Sequence, residues 1–233
     1  MVYGLWLVAY GLLLMACIGK RQRRQAARMG VLLRIERGLW RSGLVHLAGV
    51  DEVGVGPLAG PVLAAAVILP QSVKLRGVDD SKKLTAALRE ELAEKIRACA
   101  LGIGVGVVEV DDIDRLNIYR ATLEAMRRAV IALPIAPDHV LVDARRIPQI
   151  TLPQTALIGG DARSYSVAAA SIVAKVARDR LMCDLDTLYP EYGFRRHMGY
   201  ATAEHLAAIA RYGPSPVHRR SFAPVRELRL PGI

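Results

Sequence analysis

Short apolar runs alternate with longer helix-like segments along most of this chain, and this alternation restricts the folds that it can adopt. The runs at Leu47–Val50, Val62–Leu69 and Leu101–Val110 are mostly apolar and are separated by glycine, proline or polar turns. Such runs are typical of buried neighbouring strands. Two shorter strands are predicted at Val140–Asp143 and Thr155–Ile158. The pattern predicts an α/β protein with a mixed β-sheet flanked by helices.

The segments between and after these runs are predicted to be helical. Thr85 can cap an amphipathic helix that continues to Cys99, and Pro134 follows a long predicted helix over Ile113–Leu133. An alanine-rich helix is predicted over Tyr165–Leu188. Residues from about 181 to 233, with a short helix at Ala203–Tyr212, are expected to form a small helical C-terminal extension.

The N-terminal residues differ in character from the rest. Val2–Gly19 is apolar and uncharged, and the basic run Lys20–Arg24 follows it. Under the positive-inside rule this order would anchor the chain in a membrane with the remainder in the cytoplasm. The alternative is that translation starts at Met29, which would leave a protein without this segment. Either way, the sequence predicts an extension over residues 1–42 and a folded domain over residues 43–233, which includes the helical C-terminal part.

Four carboxylates stand where an apolar strand or helix pattern should exclude them: Asp51, Glu52, Asp143 and Asp179. Asp51 and Asp143 each end a predicted strand, and Asp179 lies on the same face of its helix as Ser171 and Lys175. Convergent carboxylates repel one another unless they are protonated or bind a cation. Mg²⁺ or Mn²⁺ suits such oxygen ligands. Two such ions, about 4 Å apart, can activate water and stabilise the leaving oxygen of a phosphodiester.

The charge of the chain indicates a polyanionic partner. Its 32 Lys and Arg outnumber its 22 Asp and Glu, which gives a formal net charge of +10. Cations that neutralise phosphates release counterions on binding, so nucleic acid is a natural partner. The three cysteines are scattered, which fits reduced thiols in a cytoplasmic protein better than a disulfide framework.

Several ordered blocks between His46 and about Arg226 resemble the ribonuclease HII family. The first is Gly49–Pro61, which reads GVDEVGVGPLAGP. The later blocks follow in the order of the family: Asp80–Leu84, Asn117–Thr122, Val142–Asp143, Gly160–Asp161, Ala168–Asp179, Tyr189–Phe194, Gly199–Tyr200 and Gly213–Pro224. The resemblance implies a ribonuclease H-like fold. It also implies an endonuclease that hydrolyses the RNA strand of RNA–DNA hybrids and cuts 5′ to ribonucleotides embedded in duplex DNA. The products would carry 3′-hydroxyl and 5′-phosphate ends, and no obligate protein partner is implied.

The resemblance also assigns roles to individual residues. The four acids match the metal-binding catalytic acids of the family, which implies two Mg²⁺ or Mn²⁺ ions. Gly54, Val55 and Gly56 match the loop that approaches the ribose at the cut site, and Tyr200 matches a tyrosine that packs on the sugar. Backbone-phosphate contacts are expected from Ser81, Lys82, Asn117, Ser171 and Lys175. The histidines His197, His205 and His218 are expected to be structural.

Four positions depart from the usual pattern of the family. Val55 replaces an arginine, Ala144 replaces a glycine, and Gly159 and Met198 replace lysines. The loss of about three cations should weaken nucleic-acid binding at physiological salt. We therefore expect recognition of a lone ribonucleotide to suffer more than hydrolysis of long hybrids. Three alternatives stay open: a type 3 ribonuclease H, a hybrid-binding protein without turnover, and a membrane-tethered enzyme.

Overall fold

The computed structural model describes residues 22–227. The apolar segment Val2–Gly19 lies outside this range, so both interpretations of it stay predictions. Among the described residues, no helix combines the length and apolar character that a membrane span requires.

The core of the fold is a five-stranded sheet whose spatial order is β3-β2-β1-β4-β5. The strands are β1 (Leu47–Val53), β2 (Val62–Ile68), β3 (Gly102–Val108), β4 (His139–Asp143) and β5 (Gln154–Leu157). β1, β2 and β3 pair antiparallel, whereas β4 runs parallel to both β1 and β5. The predicted mixed sheet is therefore confirmed.

Helices cover both faces of this sheet. In chain order after residue 33 they are α1 (Arg34–Arg41), α2 (Ala86–Cys99), α3 (Val110–Leu116), α4 (Ile118–Ile131), α5 (Tyr165–Leu188), α6 (Phe194–His197), α7 (Ala203–Tyr212) and α8 (Ala223–Arg226). One buried cluster joins the sheet to α2 and α5, and a second joins it to α4. A third cluster joins the end of α5 to the C-terminal helices, which form the predicted extension.

The predicted single helix over Ile113–Leu133 is wrong, because Asn117 divides it into α3 and α4. Asn117 has φ +68°, a left-handed conformation that asparagine adopts more readily than most residues. Its side-chain oxygen accepts a hydrogen bond from the backbone N–H of Arg120 at 3.1 Å, which caps α4. The apolar pattern continues across the break, so the pattern alone did not show it.

A close backbone contact fixes β1 against the start of α5. A Cβ atom placed on Gly49 would lie 2.0 Å from the carbonyl carbon of Ser166 and 2.1 Å from its oxygen. Glycine is required here because any side chain would collide with backbone atoms. The contact brings α5 across the strand that carries Asp51 and Glu52.

Part of the predicted N-terminal extension packs into the catalytic domain. Leu32 and Leu33 are buried in the cluster that contains α2 and α5. Glu36 is fully buried, and its carboxylate accepts hydrogen bonds from the Ser164 hydroxyl at 2.6 Å and the Ser166 N–H at 3.0 Å. These residues therefore belong structurally with the domain rather than with a separate segment that ends at residue 42.

Candidate active site

Strand pairing brings three acids together at one end of the sheet. Val50 of β1 pairs with Val142 of β4 in parallel register, so the residues that follow them, Asp51 and Asp143, are neighbours. Glu52 comes next on β1. Carboxylate oxygens of Asp51, Glu52 and Asp143 lie within 4.8 Å of one another. We call these three residues the acid group.

Burial and mutual repulsion destabilise the ionised forms of the acid group. Asp51 is only 6% exposed, and burial, followed by the charge of Glu52, raises its pKa well above the ordinary value. Burial and then Asp143 raise the pKa of Glu52, which Arg145 and Lys82 oppose. One oxygen of Glu52, Oε2, is buried and has no hydrogen-bond partner among the described residues.

These properties fit a divalent cation. The donors are carboxylate oxygens, which Mg²⁺ and Mn²⁺ prefer. A cation between them would offset the repulsion and give the free Glu52 oxygen a partner. Within residues 22–227, no other cluster of acids, histidines or cysteines has this compact geometry.

The fourth predicted acid, Asp179, has a different environment. Its Oδ1 accepts a hydrogen bond from Lys175 Nζ at 2.6 Å, one turn earlier on α5. The guanidinium of Arg89 lies 4.0 Å from its other oxygen. Asp179 is therefore paired with cations and is not part of the acid group. Its role as a metal ligand stays a prediction.

A fifth acid, Asp161, lies beside the group and was not selected from the sequence. Burial raises its pKa, with further contributions from Asp80 and Asp143. The preceding residue, Gly160, donates its N–H to Asp143 Oδ1 at 2.6 Å and so orients that carboxylate. The Gly160–Asp161 pair was visible in the sequence as one of the family blocks, but its position gave no sign of this contact.

The loop after β1 lies next to the acid group and has the predicted glycines. Gly54 has φ +87°, and a Cβ atom there would lie 2.3 Å from Arg178 Nε. Gly56 faces Tyr200, whose Cε1 would be 3.7 Å from a Cβ atom at position 56. Val55 is 38% exposed and Tyr200 is 46% exposed, so both side chains are available to a ligand.

Two fully buried arginines hold this loop, and sequence reasoning did not select either of them. Arg178 on α5 and Arg219 near the C-terminus are both 0% exposed. Arg178 donates to the carbonyl oxygens of Ala59, Pro61 and Met198. Arg219 donates to those of Gly54, Val55 and Gly60 at 2.6–3.0 Å. Burial, with the nearby charge of Arg178, lowers the pKa of Arg219 to about 9. We call these two residues the loop arginines.

The five predicted phosphate contacts have unequal exposure. Ser81 and Ser171 are each 5% exposed, and their hydroxyls hydrogen-bond to one another at 2.8 Å. The Ser171 hydroxyl also opposes the rise in the pKa of Asp51. Lys82 and Asn117 are exposed, whereas Lys175 is paired with an acid. Ser81 and Ser171 therefore face the interior. Lys82 is available to a ligand, whereas Asn117, whose side-chain oxygen caps α4, offers only its amide N–H groups.

The mixed five-stranded sheet flanked by helices, with acids at the ends of two neighbouring parallel strands, places the chain in the ribonuclease H-like class of nucleases. A sequence profile for Ribonuclease HII matches residues 48–225. The chain belongs to the ribonuclease HII family and is an endoribonuclease that acts on RNA–DNA hybrids.

Relatives and a solved structure agree with this assignment. The ribonuclease HII of Geobacillus thermodenitrificans is 58% identical over 217 residues, which cover 92% of this chain and 83% of that protein. That of Myxococcus xanthus is 55% identical over 214 residues, covering 91% of this chain and 73% of that protein. The crystal structure of ribonuclease H2 from Pyrococcus horikoshii is similar, with a TM-score of 0.67 and 29% identity. The aligned residues cover 78% of this chain and 96% of the Pyrococcus chain. The alternative of a type 3 enzyme is therefore wrong.

Proposed function

We propose that this endoribonuclease cuts 5′ to single ribonucleotides embedded in duplex DNA as well as within longer RNA–DNA hybrids. The acid group would hold two Mg²⁺ or Mn²⁺ ions, and the products would carry 3′-hydroxyl and 5′-phosphate ends. The observation that carries the proposal is the position of the acid group directly beside the Gly54–Gly56 loop. A phosphodiester at the acids would thus place its ribose against that loop.

The acid group supplies the chemistry of the site. When bound, the divalent ions would supply Lewis acidity at the scissile phosphate. Asp51, Glu52 and Asp143 would supply the negative charge that binds these ions, and the Gly160 N–H donates to Asp143 Oδ1 and so orients that carboxylate. The Ser171 hydroxyl, which is hydrogen-bonded to Ser81, opposes the rise in the pKa of Asp51 from the helix side. We keep Asp179 as a proposed fourth ligand, which would have to leave Lys175 to reach the ions.

The loop and Tyr200 would recognise the ribose. Glycine at positions 54 and 56 lets backbone groups approach the sugar closely. The 2′-hydroxyl is the group that distinguishes RNA from DNA at such a contact. Tyr200 lies over Gly56 and is exposed, so its ring can pack on the neighbouring sugar. The loop arginines hold the loop through its carbonyl oxygens, which leaves its N–H groups free of these contacts.

The experiment is a cleavage assay on two labelled duplexes, with Mg²⁺ or Mn²⁺ present. One duplex contains a single ribonucleotide in DNA, and the other is a complete RNA–DNA hybrid. The full chain is compared with Asp51→Asn and with the matched control Asp184→Asn, which changes an exposed aspartate of α5. We expect the wild type and Asp184→Asn to cut both duplexes and Asp51→Asn to cut neither.

The products separate the proposal from its alternatives. Cutting 5′ to the lone ribonucleotide would establish junction activity in spite of Val55. Cutting of the long hybrid alone would refute the junction part of the proposal. Binding without any cutting would instead favour the hybrid-binding protein without turnover.

The enzyme is predicted to act in the cytoplasm, and the alternative is a form tethered to a membrane through residues 2–19.

A further inference from the structure

A cleft opens beside the acid group on the side of α4. Its volume is about 350 Å³, and its walls include Glu52, Asp143, Val55, Tyr119 and Arg145. Asp143 and Arg145 are two residues apart, so this arginine belongs to the loop that directly follows the acid-bearing strand β4. The cleft thus combines two of the acids, the position where the family arginine is missing, and the guanidinium of Arg145.

The backbone holds Arg145 at the rim of this cleft. Ala144 has φ +57°, a left-handed conformation that turns the chain sharply after Asp143. The N–H of Arg145 donates to the carbonyl oxygen of Asp143 at 2.6 Å, which closes the turn. The N–H of Ala144 donates to the carbonyl oxygen of Leu157 on β5 at 2.9 Å. The start of the arginine side chain is therefore attached to the sheet.

The end of the side chain is held by an aromatic ring. The guanidinium carbon of Arg145 lies 4.7 Å from the centre of the Tyr119 ring, at the start of α4. Tyr119 is 51% exposed, and Arg145 is exposed as well. An arginine on an aromatic face keeps its in-plane N–H donors available. Less side-chain entropy is then lost when these donors bind a ligand.

Arg145 also has no anion to bind within the described part of the chain. No carboxylate of residues 22–227 comes within 4.0 Å of its guanidinium, whereas many other arginines of the chain form ion pairs. The forked donors of arginine match the oxygens of a phosphate group. A preorganised guanidinium in a cleft beside a phosphodiester-cutting centre is therefore suited to a phosphate.

We propose that Arg145, stacked on Tyr119, binds a backbone phosphodiester of the nucleic-acid substrate beside the acid group. It supplies the cleft with the cation that Val55 does not provide. The inference rests on the proposed function, because the substrate has to enter this cleft. It adds a contact residue that lies outside the expected phosphate contacts.

Equilibrium binding tests this assignment. A fluorescein-labelled RNA–DNA hybrid is titrated at several salt concentrations with the full chain that carries Asp51→Asn, the substitution expected to abolish cleavage. Arg145→Ala and its matched control Arg146→Ala are added singly to this parent. Arg146 is the adjacent exposed arginine, but it does not line the cleft. Both variants remove one exposed positive charge, and thermal unfolding checks that both are folded.

A phosphate contact makes distinct predictions for the two variants. Arg145→Ala is expected to weaken binding about tenfold, as for loss of a hydrogen bond to a charged group. The slope of log K against log salt should become shallower by about 0.9, the value for one phosphate contact. Arg146→Ala should change neither quantity by a comparable amount. Equal changes in the two variants would overturn the inference, because only general surface charge would then be at work.

Two further variants test the ring and the position of the cation. Tyr119→Leu keeps the charge, so it should weaken binding about threefold without changing the salt slope. Val55→Arg, added to Arg145→Ala, should restore binding if both positions serve the same cleft, and failure to restore it would refute that claim. A parent protein that does not bind the hybrid at all would overturn the proposed function itself. If the parent binds the hybrid and the wild type cuts it, but Arg145→Ala leaves binding unchanged, only this inference is overturned.

Discussion

Acidification should destabilise the fold through one buried histidine, His218. A chain of hydrogen bonds fixes its protonation. The carbonyl oxygen of Tyr200 can only accept, so His205 Nδ1 donates to it at 2.8 Å. His205 Nε2 must then accept from His218 Nε2 at 3.0 Å, and His218 Nδ1 accepts from the N–H of Ser215 at 3.0 Å. Each ring is a neutral tautomer, and an added proton on either one would face another donor.

The size of the effect follows from the pKa of His218. Burial, with the nearby His205, lowers this pKa from 6.5 to about 4. A base whose pKa is lower in the folded state binds protons more readily when unfolded, so stability falls as the pH drops below 6.5. His218 is only 1% exposed, so solvent screens the effect little. Between pH 7 and pH 5 the loss amounts to about 2 kcal/mol.

The assay measures urea unfolding of the wild type and of His218→Gln at pH 7, 6 and 5, with circular dichroism as the signal. The raised pKa values of Asp51 and Glu52 act in the opposite direction, but they are common to both proteins and cancel in the difference. His218→Gln should be less stable than the wild type at pH 7. At pH 5 the difference between their free energies of unfolding should be smaller by about 2 kcal/mol. A gap that stays constant with pH would refute the reasoning.

Three further substitutions test the packing and the loop. Gly49→Ala should destabilise the fold by about 3 kcal/mol or more in urea unfolding, because its Cβ would collide with the Ser166 backbone. Ala144→Gly should raise the free energy of unfolding by about 1 kcal/mol, because glycine relieves the left-handed strain at φ +57°. A lower free energy of unfolding would contradict this prediction. Arg219→Lys should raise the KM for the ribonucleotide-containing duplex several-fold. The single ammonium of lysine cannot donate to three carbonyl oxygens in the geometry of the guanidinium. The exposed neighbour Arg220→Lys should leave the KM unchanged, and equal KM values for the two variants would refute the role of Arg219.

The parts of the fold that could be predicted are those with a local signal. Strand positions follow from apolar runs, and parallel pairing of two strands that end in acids is enough to bring Asp51 and Asp143 together. The break at Asn117 could not be read in the same way, because the apolar pattern runs through it and only a backbone angle marks it.

Long-range contacts set the limit of prediction from sequence. Arg178 and Arg219 bind carbonyl oxygens of a loop more than a hundred residues away, and nothing local distinguishes them from surface arginines. The burial of Glu36 likewise depends on serines at the start of α5. In contrast, the Lys175–Asp179 pair follows directly from the spacing of four residues on a helix.

The central claim is that the acid group binds the divalent ions of the reaction, and metal binding tests it most directly. Isothermal titration of Mn²⁺ into the full chain, Asp143→Asn and the control Asp184→Asn requires no nucleic acid. We expect Asp143→Asn to weaken Mn²⁺ binding at least about tenfold, since a ligand charge is lost, and Asp184→Asn to match the wild type. Equal affinity in all three proteins would contradict the account.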